Sequence, residues 1–577
     1  MKNKKNNIAI EEKRHTLAHL LASAVLKKYP KAKLGIGPTI ENGFYYDFDL
    51  GGKLKEEDLE KLEQTMRDLI GQELDMTGEK ITADEARKLF ADQPYKLELI
   101  DEYEKEGREL TAYSIGDFTD LCKGGHADNT RDIDAGAFAL TTIAGAYWRG
   151  DENNPQLQRI YALAFDTPAE LEEYRTMLEE AKKRDHKKLG IELDLFTFSN
   201  LVGSGLPLWT PKGTVLRDLL DNAVWQLRRA YGYERVDIPH ITKKDLYEKS
   251  GHWEKFGDEL FGVKTREGHE FVMKPMNCPH HAQIYARRQW SYRELPQRYA
   301  STTKVYRDEQ TGELAGLSRV RSITQDDAHV FCRESQIKEE MSNIWSIIEN
   351  FYGKFGFTLE PRLSLSDPAH PEKYLGSRET WAEAENTLRA LVAERGATAV
   401  ESPGEAAFYG PKIDFMAKDS LGRGWQIATI QLDMVQPERF DLFCISETGE
   451  HERIVMIHAA IMGSLERFLS IIIEHYGGAF PFWLAPVQVK ILTINDKVNE
   501  YTNEVAGKLK AHGVRIELDT RNESIGKKIR EAEMEKVPYI FVIGEKEAAA
   551  NQINVRTRGV KDTKTISLEQ FLEDTRN

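Results

Sequence analysis

Two short arginine-bearing segments, Arg307-Asp308-Glu309 and Gly463-Ser464-Leu465-Glu466-Arg467, restrict the fold of this chain more than any other feature. The first follows a strand-like run, Ala300 to Tyr306. The second opens a long apolar helix pattern, Met462 to Glu474. Arg319 and Arg321 lie just beyond the first. Arginine is permanently charged and binds oxyanions bidentately, so arginines gathered on a sheet suit a polyphosphate. No Walker-type glycine loop and no GxGxxG after a strand accompanies them. A nucleotide site here therefore has to be built from the arginines themselves. Any one of them, taken alone, is more simply a surface ion-pair residue.

A chain of 577 residues is too long for one core and corresponds to roughly three or four domains. Hydrophobic residues make up 40% and charged residues 30%, an ordinary globular balance. The best candidate for a membrane span, Ile454 to Ile473, is broken by His458, Ser464, Glu466 and Arg467, which excludes it. The start is basic (Lys2, Lys4, Lys5) but lacks the apolar stretch of a signal peptide. Cys122, Cys278, Cys332 and Cys444 are scattered, form no disulfide framework and suit a reducing cytosol. The net charge of −15 argues against nonspecific wrapping of nucleic acid, but not against a local basic patch.

Residues 1–165 mix helix and strand signals. Glu11 to Tyr29 reads as an amphipathic helix with Leu17, Leu20, Leu21, Ala24 and Val25 on one face, and Tyr45 to Leu50 alternates like a strand. Residues 166–192 read as a linker helix. It begins at Thr167-Pro168-Ala169-Glu170, a capping-box spacing with proline at the first helical position, and continues to about Lys188. Residues 193–480 are long enough for a substantial α/β core. A periodic helix, Thr214 to Tyr231, runs into the strand-like Arg235 to Pro239, and Arg321 to Thr324 and Gly424 to Leu432 are further strand patterns. Residues 481–577 change rhythm. Val487 to Ile494, Val514 to Leu518, Tyr539 to Ile543 and Ile553 to Arg556 alternate with helical patterns, which predicts βαβ units and a largely parallel sheet.

A Pro-ended helix–strand segment (Gly232 to Pro239), Arg307 with Glu309, and Gly463 to Arg467 stand in the order of motifs 1, 2 and 3 of the class II aminoacyl-tRNA synthetases. Met273 to Pro279, Thr324 to His329, Ala407 to Ile413 and Val455 to His458 narrow the resemblance to the threonyl-tRNA synthetases, and it covers nearly the whole chain. The resemblance implies an α/β multidomain protein. An α+β editing domain would precede a class II catalytic core on an antiparallel six- or seven-stranded sheet, and a C-terminal α/β anticodon-binding domain would follow. It further implies a cytoplasmic homodimer with ATP, L-threonine and tRNA(Thr) as substrates, and no membrane. Arg307 would clamp the α-phosphate and Arg467 the γ-phosphate side of a bent, Mg2+-bound ATP. The adenine would lie between Arg467 and an aromatic of the motif 2 region. Glu309, Arg319, Arg321 and Ser464 complete that set. Gln426, Thr429 and Gln431 would line the floor, with Tyr409 and Lys412 near substrate. No general base is expected, because the threonine carboxylate attacks the α-phosphate and catalysis is positioning and charge stabilisation.

Cys278, His329 and His458 are too far apart for spacing to mean anything, and a lone buried Cys or His is ordinarily core. The resemblance makes them ligands of one catalytic Zn2+, whose open positions would take the amine and hydroxyl of threonine. Gln325 and Asp327 lie beside His329, and Asp327 would hold the substrate hydroxyl. Valine lacks that hydroxyl and is rejected; serine has it. Losing one methyl changes binding by only about 1–3 kcal/mol, so a second, hydrolytic site is expected. His15 and His19 share a helix face opposite the leucine stripe, and Asp120, Cys122 and His126 form a second cluster. Spacing alone suits zinc. The resemblance implies instead metal-free hydrolysis of mischarged seryl-tRNA(Thr), with Lys96 polarising the ester or orienting water.

The resemblance places Asn522, Glu547 and Arg556 at anticodon contacts. Lys527, Lys528 and Arg530 form a basic strip that reads equally as a solvated helix face. The chain departs from the family pattern in three places. Gly125 stands where proline is expected before His126, which predicts a looser loop. Ala459 follows His458 where arginine is expected, beside the metal ligands. A short segment precedes the first helix, where many bacterial members carry a ubiquitin-like domain. Two rival readings remain: a metal-dependent hydrolase of mischarged tRNA, and a noncatalytic RNA-binding regulator. The first has no need of the ATP arginines, and the second would be expected to have lost one of them or a ligand.

Overall fold

The computed structural model describes residues 8–575, and the basic start at Lys2, Lys4 and Lys5 lies outside them. Two compact units divide the chain, one ending at Glu179 and one beginning at Glu180.

The first unit contains α1 (Ile10–Lys28), β1 (Gly43–Asp49), α2 (Glu56–Ile70), β2 (Met76–Ile81), α3 (Pro94–Lys105), β3 (Leu110–Ile115), β4 (Phe118–Leu121), β5 (Phe138–Tyr147) and β6 (Gln156–Ala164). β6 lies between β1 and β5 in one antiparallel sheet, and β2, β3 and β4 form a second. α1 starts with Glu11 and Glu12 and ends with Lys27 and Lys28, matching its dipole. The amphipathic expectation for α1 is corrected. Every residue from Thr16 to Val25 is buried, because the polar face is covered as well as the leucine face.

The linker begins as expected. In α4 (Pro168–Lys183), Thr167 N–H donates to Glu170 Oε2 at 3.1 Å and Glu170 N–H to Thr167 Oγ1 at 3.3 Å. It is not continuous to Lys188. Asp185 caps a new helix, α5 (His186–Glu192).

The second unit holds α6 (Pro211–Ala230), β7 (Glu234–Arg235), α7 (Cys278–Tyr285), β8 (Gln297–Tyr306), β9 (Ser322–Cys332), α8 (Ile337–Gly353), β10 (Leu359–Leu365), β11 (Val400–Pro403), β12 (Lys412–Lys418), β13 (Gly424–Asp433), β14 (Val455–Ser464) and α9 (Leu465–His475). One sheet runs in the order β7-β8-β9-β14-β13-β12-β10-β11. Its six inner strands are antiparallel. Short β7 and β11 add to the edges in parallel, giving eight strands rather than six or seven. β7 is shorter than the Arg235–Pro239 pattern. Asp237 Oδ1 takes the Ile238 N–H at 3.0 Å, and Pro239 has no N–H to give a ladder. The helix expected from Met462 begins at Leu465, because β14 extends through Ser464, whose Oγ accepts the Arg467 N–H at 3.2 Å. Residues of α6, α8 and α9 share one apolar core with the sheet.

The same unit ends in β15 (Val489–Thr493), α10 (Asn499–Ala511), β16 (Ile516–Asp519), α11 (Ile525–Met534), β17 (Tyr539–Ile543), β18 (Ile553–Thr557) and β19 (Thr563–Ile566). The order is β16-β15-β17-β18-β19. The first three are parallel, as expected of βαβ units, and the last two return antiparallel. Among the described residues no helix is long and apolar enough to cross a membrane.

Candidate catalytic and editing sites

Side chains two apart on a strand share a face, so β9 presents Asp327 and His329 together. Pairing sets His329 opposite His458 on β14, and His458 opposite Gln431 on β13. Cys278 opens α7. The ligand atoms of Cys278, His329 and His458 lie within 4.8 Å of one another, all buried. His329 Nε2 is 3.1 Å from His458 Nδ1, and two nitrogens on one tetrahedral zinc sit about 3.3 Å apart. Burial holds the Cys278 thiol well above its ordinary range and His329 well below its own. One thiol and two imidazoles, all buried, form a donor set that could hold a metal.

Around this group, Asn277 Nδ2 donates to Asp327 Oδ2 at 3.0 Å. Fully buried Lys274 donates to Asn277 Oδ1 at 3.1 Å and Thr303 Oγ1 at 3.0 Å, and burial lowers its ammonium to about 8. Tyr409 stacks on His458 at 4.9 Å and donates to Gln431 Oε1 at 2.5 Å. Gln426 accepts from Arg362 at 2.9 Å, and Lys412 pairs with buried Asp414 at 3.1 Å. Gln325 Oε1 and Thr429 Oγ1 are buried with no partner among the described residues. Buried polar atoms are almost always paired, so both are free to meet a polar partner on this face of the sheet.

The arginines fall into two groups. Arg319 is held by Glu309 at 2.7 Å and Glu313 at 3.1 Å, and Arg321 Nε donates to the Glu309 carbonyl at 2.9 Å. The guanidinium of Arg307 meets only the Pro275 carbonyl, at 3.4 Å, and that of Arg467 has no ion-pair partner among the described residues. Arg307 and Arg467 are thus the two ready for an external anion. Ser464 caps α9 rather than facing outward. Glu466, fully buried, accepts the Thr324 N–H at 2.6 Å and its hydroxyl at 2.7 Å, locking α9 to β9.

In the first unit α1 brings His15 and His19 to the residues around β4. Cys122 Sγ lies 3.2 Å from both His15 Nε2 and His126 Nε2. The His19 and His126 rings meet edge-on at 4.5 Å. Beneath them, buried Asp120 pairs with Lys96 Nζ at 2.5 Å and accepts from Tyr46 OH at 2.5 Å. Burial lowers His19 to about 4 and His126 to about 2, and raises Cys122 to about 11. Asp120 is pushed up by burial, but Lys96, His19 and the Lys96 and Tyr46 hydrogen bonds outweigh this and hold it below its ordinary value. His15, His19, Cys122 and His126 also place their ligand atoms within 4.8 Å of one another, so the geometry serves either a metal or bare imidazole chemistry.

Gly125 adopts φ +85, which proline cannot, and its carbonyl lies 3.3 Å from His15 Nδ1; two residues on, the Ala127 N–H is bound by Thr16 Oγ1 at 3.0 Å. One expectation about the departures is corrected. Ala459 does not face the metal group. It pairs with Ala328 and Ile430 on the opposite face of the sheet and lies in the apolar core.

At the C-terminal sheet Asn522 is exposed. Glu547 accepts the Gly544 N–H at 2.9 Å, and Arg556 meets Glu533 at 3.4 Å. These three are not gathered into one pocket by any contact among the described residues. The basic strip is corrected: Lys528 is buried and donates to the Thr493 and Asp519 carbonyls at 2.9 and 3.1 Å.

Sequence reading missed Asn277, His281, Asp433 and Gln436, which surround the metal group. Asp433 was within reach, since Thr429, Gln431 and Asp433 follow the strand period of two. His281, one turn after Cys278, was signalled by helix spacing. Nothing local marks Gln436.

Three family profiles match: "tRNA synthetase class II core domain (G, H, P, S and T)" over residues 261–476, "Anticodon binding domain" over 488–576, and "Threonyl and Alanyl tRNA synthetase second additional domain" over 110–161. Fold and profiles together define a class II aminoacyl-tRNA synthetase. The threonine–tRNA ligase of Porphyromonas gingivalis is 47% identical over 97% of this chain and 86% of its own length. That of Rubrobacter xylanophilus is 47% identical over 98% of this chain and 88% of its own. Among solved structures, the RNA binding domain of threonyl-tRNA synthetase from Cryptosporidium parvum matches with TM-score 0.65 at 38% identity, covering 68% of this chain and 97% of that one. Prolyl-tRNA synthetase from Giardia lamblia shares the fold at TM-score 0.55 and 18% identity, over 67% of this chain and 76% of its own. The chain belongs to the threonine–tRNA ligase family.

Proposed function

We propose that this enzyme activates L-threonine with ATP, transfers it to tRNA(Thr) and hydrolyses seryl-tRNA(Thr). The observation that carries the reading is the buried Cys278–His329–His458 group beside the unpartnered polar atoms of Gln325 and Thr429. The three ligands suit zinc, which when bound offers open Lewis-acid positions to the amine and hydroxyl of threonine. Asp327, aimed by Asn277, accepts a hydrogen bond from the threonine hydroxyl. A threonine carboxylate oxygen attacks the α-phosphorus and pyrophosphate leaves with Mg2+. Arg307 and Arg467 neutralise the phosphate charge, so the chemistry rests on orientation and electrostatics. The terminal ribose hydroxyl of tRNA then attacks the acyl carbonyl and AMP leaves.

Editing is assigned to residues 1–165, with His15, His19 and His126 placing the tRNA end and water, and the Lys96–Asp120 pair fixing the charge beneath them. Residues 166–192 link this region to the catalytic domain, 193–480, and residues 481–577 hold the anticodon through Asn522, Glu547 and Arg556. We assign the enzyme to the cytoplasm, as a homodimer. Metal analysis tests the central part: wild-type enzyme carries one zinc per chain and Cys278→Ser carries none. Zinc retained by Cys278→Ser contradicts the ligand set.

A further inference from the structure

We infer that Asp433 and His281 are positioning residues that decide which nitrogen of each ligand histidine faces the metal. The inference rests on the metal reading above. His458 Nε2 lies 2.8 Å from Asp433 Oδ2. With Asp433 Oδ2 as the acceptor, the proton sits on Nε2 and Nδ1 is bare, 3.1 Å from His329 Nε2. Asp433 cannot turn away. It is fully buried, and its Oδ1 accepts the N–H groups of Val435 and Gln436 at 2.9 and 2.8 Å. The same turn brings Gln436 Nε2 to 3.8 Å from Cys278 Sγ. One turn after β13 therefore steers ligands from β14 and α7 together.

The other histidine is governed by a short relay. His329 Nδ1 lies 2.8 Å from His281 Nδ1, and His281 Nε2 lies 3.1 Å from Ser301 Oγ. A serine hydroxyl both donates and accepts, so the relay has two settings. In one, Ser301 donates to His281 Nε2, His281 Nδ1–H donates to His329 Nδ1, and His329 Nε2–H donates to bare His458 Nδ1. In the other, each proton has moved to the opposite ring nitrogen: His329 Nδ1–H donates to His281 Nδ1, and His281 Nε2–H donates to Ser301. His329 Nε2 is then bare beside His458 Nδ1, and both ligand nitrogens face the metal. No proton is gained or lost by the histidines. The His281 ring stays paired with His329 and Ser301 in both settings, and the two nitrogens bared in the second are the ones a metal would take; a leucine at 281 would leave His329 Nδ1 without a partner.

Orienting partners of ligand histidines typically contribute about 10–100-fold in metal affinity. The test is chelator competition for Zn2+ on the full chain, with the d–d spectrum of the Co2+-loaded enzyme as a second readout. Asp433→Asn, which presents an amide N–H or a weaker acceptor to His458, is expected to bind zinc about 10–100-fold more weakly and to alter the Co2+ bands. His281→Gln keeps an acceptor for His329 Nδ1–H and holds zinc near the wild-type level, whereas His281→Leu loses about 10-fold or more. Wild-type affinity in Asp433→Asn, or equal affinity in the Gln and Leu variants, overturns the inference. If Asp433→Asn does not fold, the His281 pair decides. A wild-type chain that takes up no zinc, or Cys278→Ser that keeps it, defeats the metal reading instead, so the two failures are distinguishable.

Discussion

His19 illustrates how burial sets chemistry at a single residue. Its ring is buried on α1 against His126, and burial lowers it from 6.5 to about 4. The neutral imidazole keeps a lone pair at physiological pH, which suits placing water or a ribose hydroxyl. His19→Ala is expected to cut seryl-tRNA deacylation by about 10²-fold or more, with threonine activation unchanged; deacylation that persists contradicts the editing assignment. The sign of the pH dependence follows from the same shift. Between about 4 and 6.5 the unfolded chain binds a proton at His19 that the folded site does not. Stability is then full above pH 6.5 and falls as pH drops toward 4. Thermal denaturation from pH 7 to 4.5 should show a shallower decline in His19→Gln than in the parent. Burial likewise raises the Cys122 thiol to about 11, favouring the protonated form at neutral pH.

At the scale of elements, the catalytic sheet depends on a buried ion pair. Arg228, on the last turn of α6, donates to the Asp326 carbonyl at 2.8 Å and its carboxylate at 3.3 Å, while Ile461 and Met462 N–H groups bind the same carboxylate. Burial raises Asp326 to about 7 despite Arg228 and those N–H bonds. Arg228→Met removes these hydrogen bonds and leaves Asp326 to be buried protonated, and urea denaturation at pH 7 is expected to show a loss of about 1–3 kcal/mol. Part of the architecture was legible from its periods, as in Thr214 to Tyr231, Ala300 to Tyr306 and Gly424 to Leu432, whereas α8 and the inner strands β10, β12 and β14 were not read as such. The misses have local causes. Asp237 and Pro239 truncate β7, Asp185 restarts the linker helix, and a second covered face buries α1 throughout. Cys278, His329 and His458 were named only through resemblance, since pairing of β9 with β14 and β13 with β14 is what unites them. Lys528 shows the opposite error: a charge in a basic run that spends its protons on backbone carbonyls.

At the scale of the whole molecule, the residues proposed for editing and for charging lie in separate compact units, divided between Glu179 and Glu180. A chain of residues 180–577 is expected to retain threonine activation and to lose seryl-tRNA hydrolysis; deacylation surviving in that fragment would place editing elsewhere. The division follows from what the catalytic pocket can distinguish. A site that reads a hydroxyl rejects a substrate without one by about 10⁴–10⁵-fold, whereas a missing methyl yields only about 10–200-fold. The measurement that bears most directly on this is ATP–pyrophosphate exchange by the zinc-loaded enzyme with threonine, serine and valine in parallel. Efficient exchange with threonine, weaker but measurable exchange with serine and essentially none with valine is the predicted result. Exchange with valine at the level of serine, or none with threonine, contradicts it.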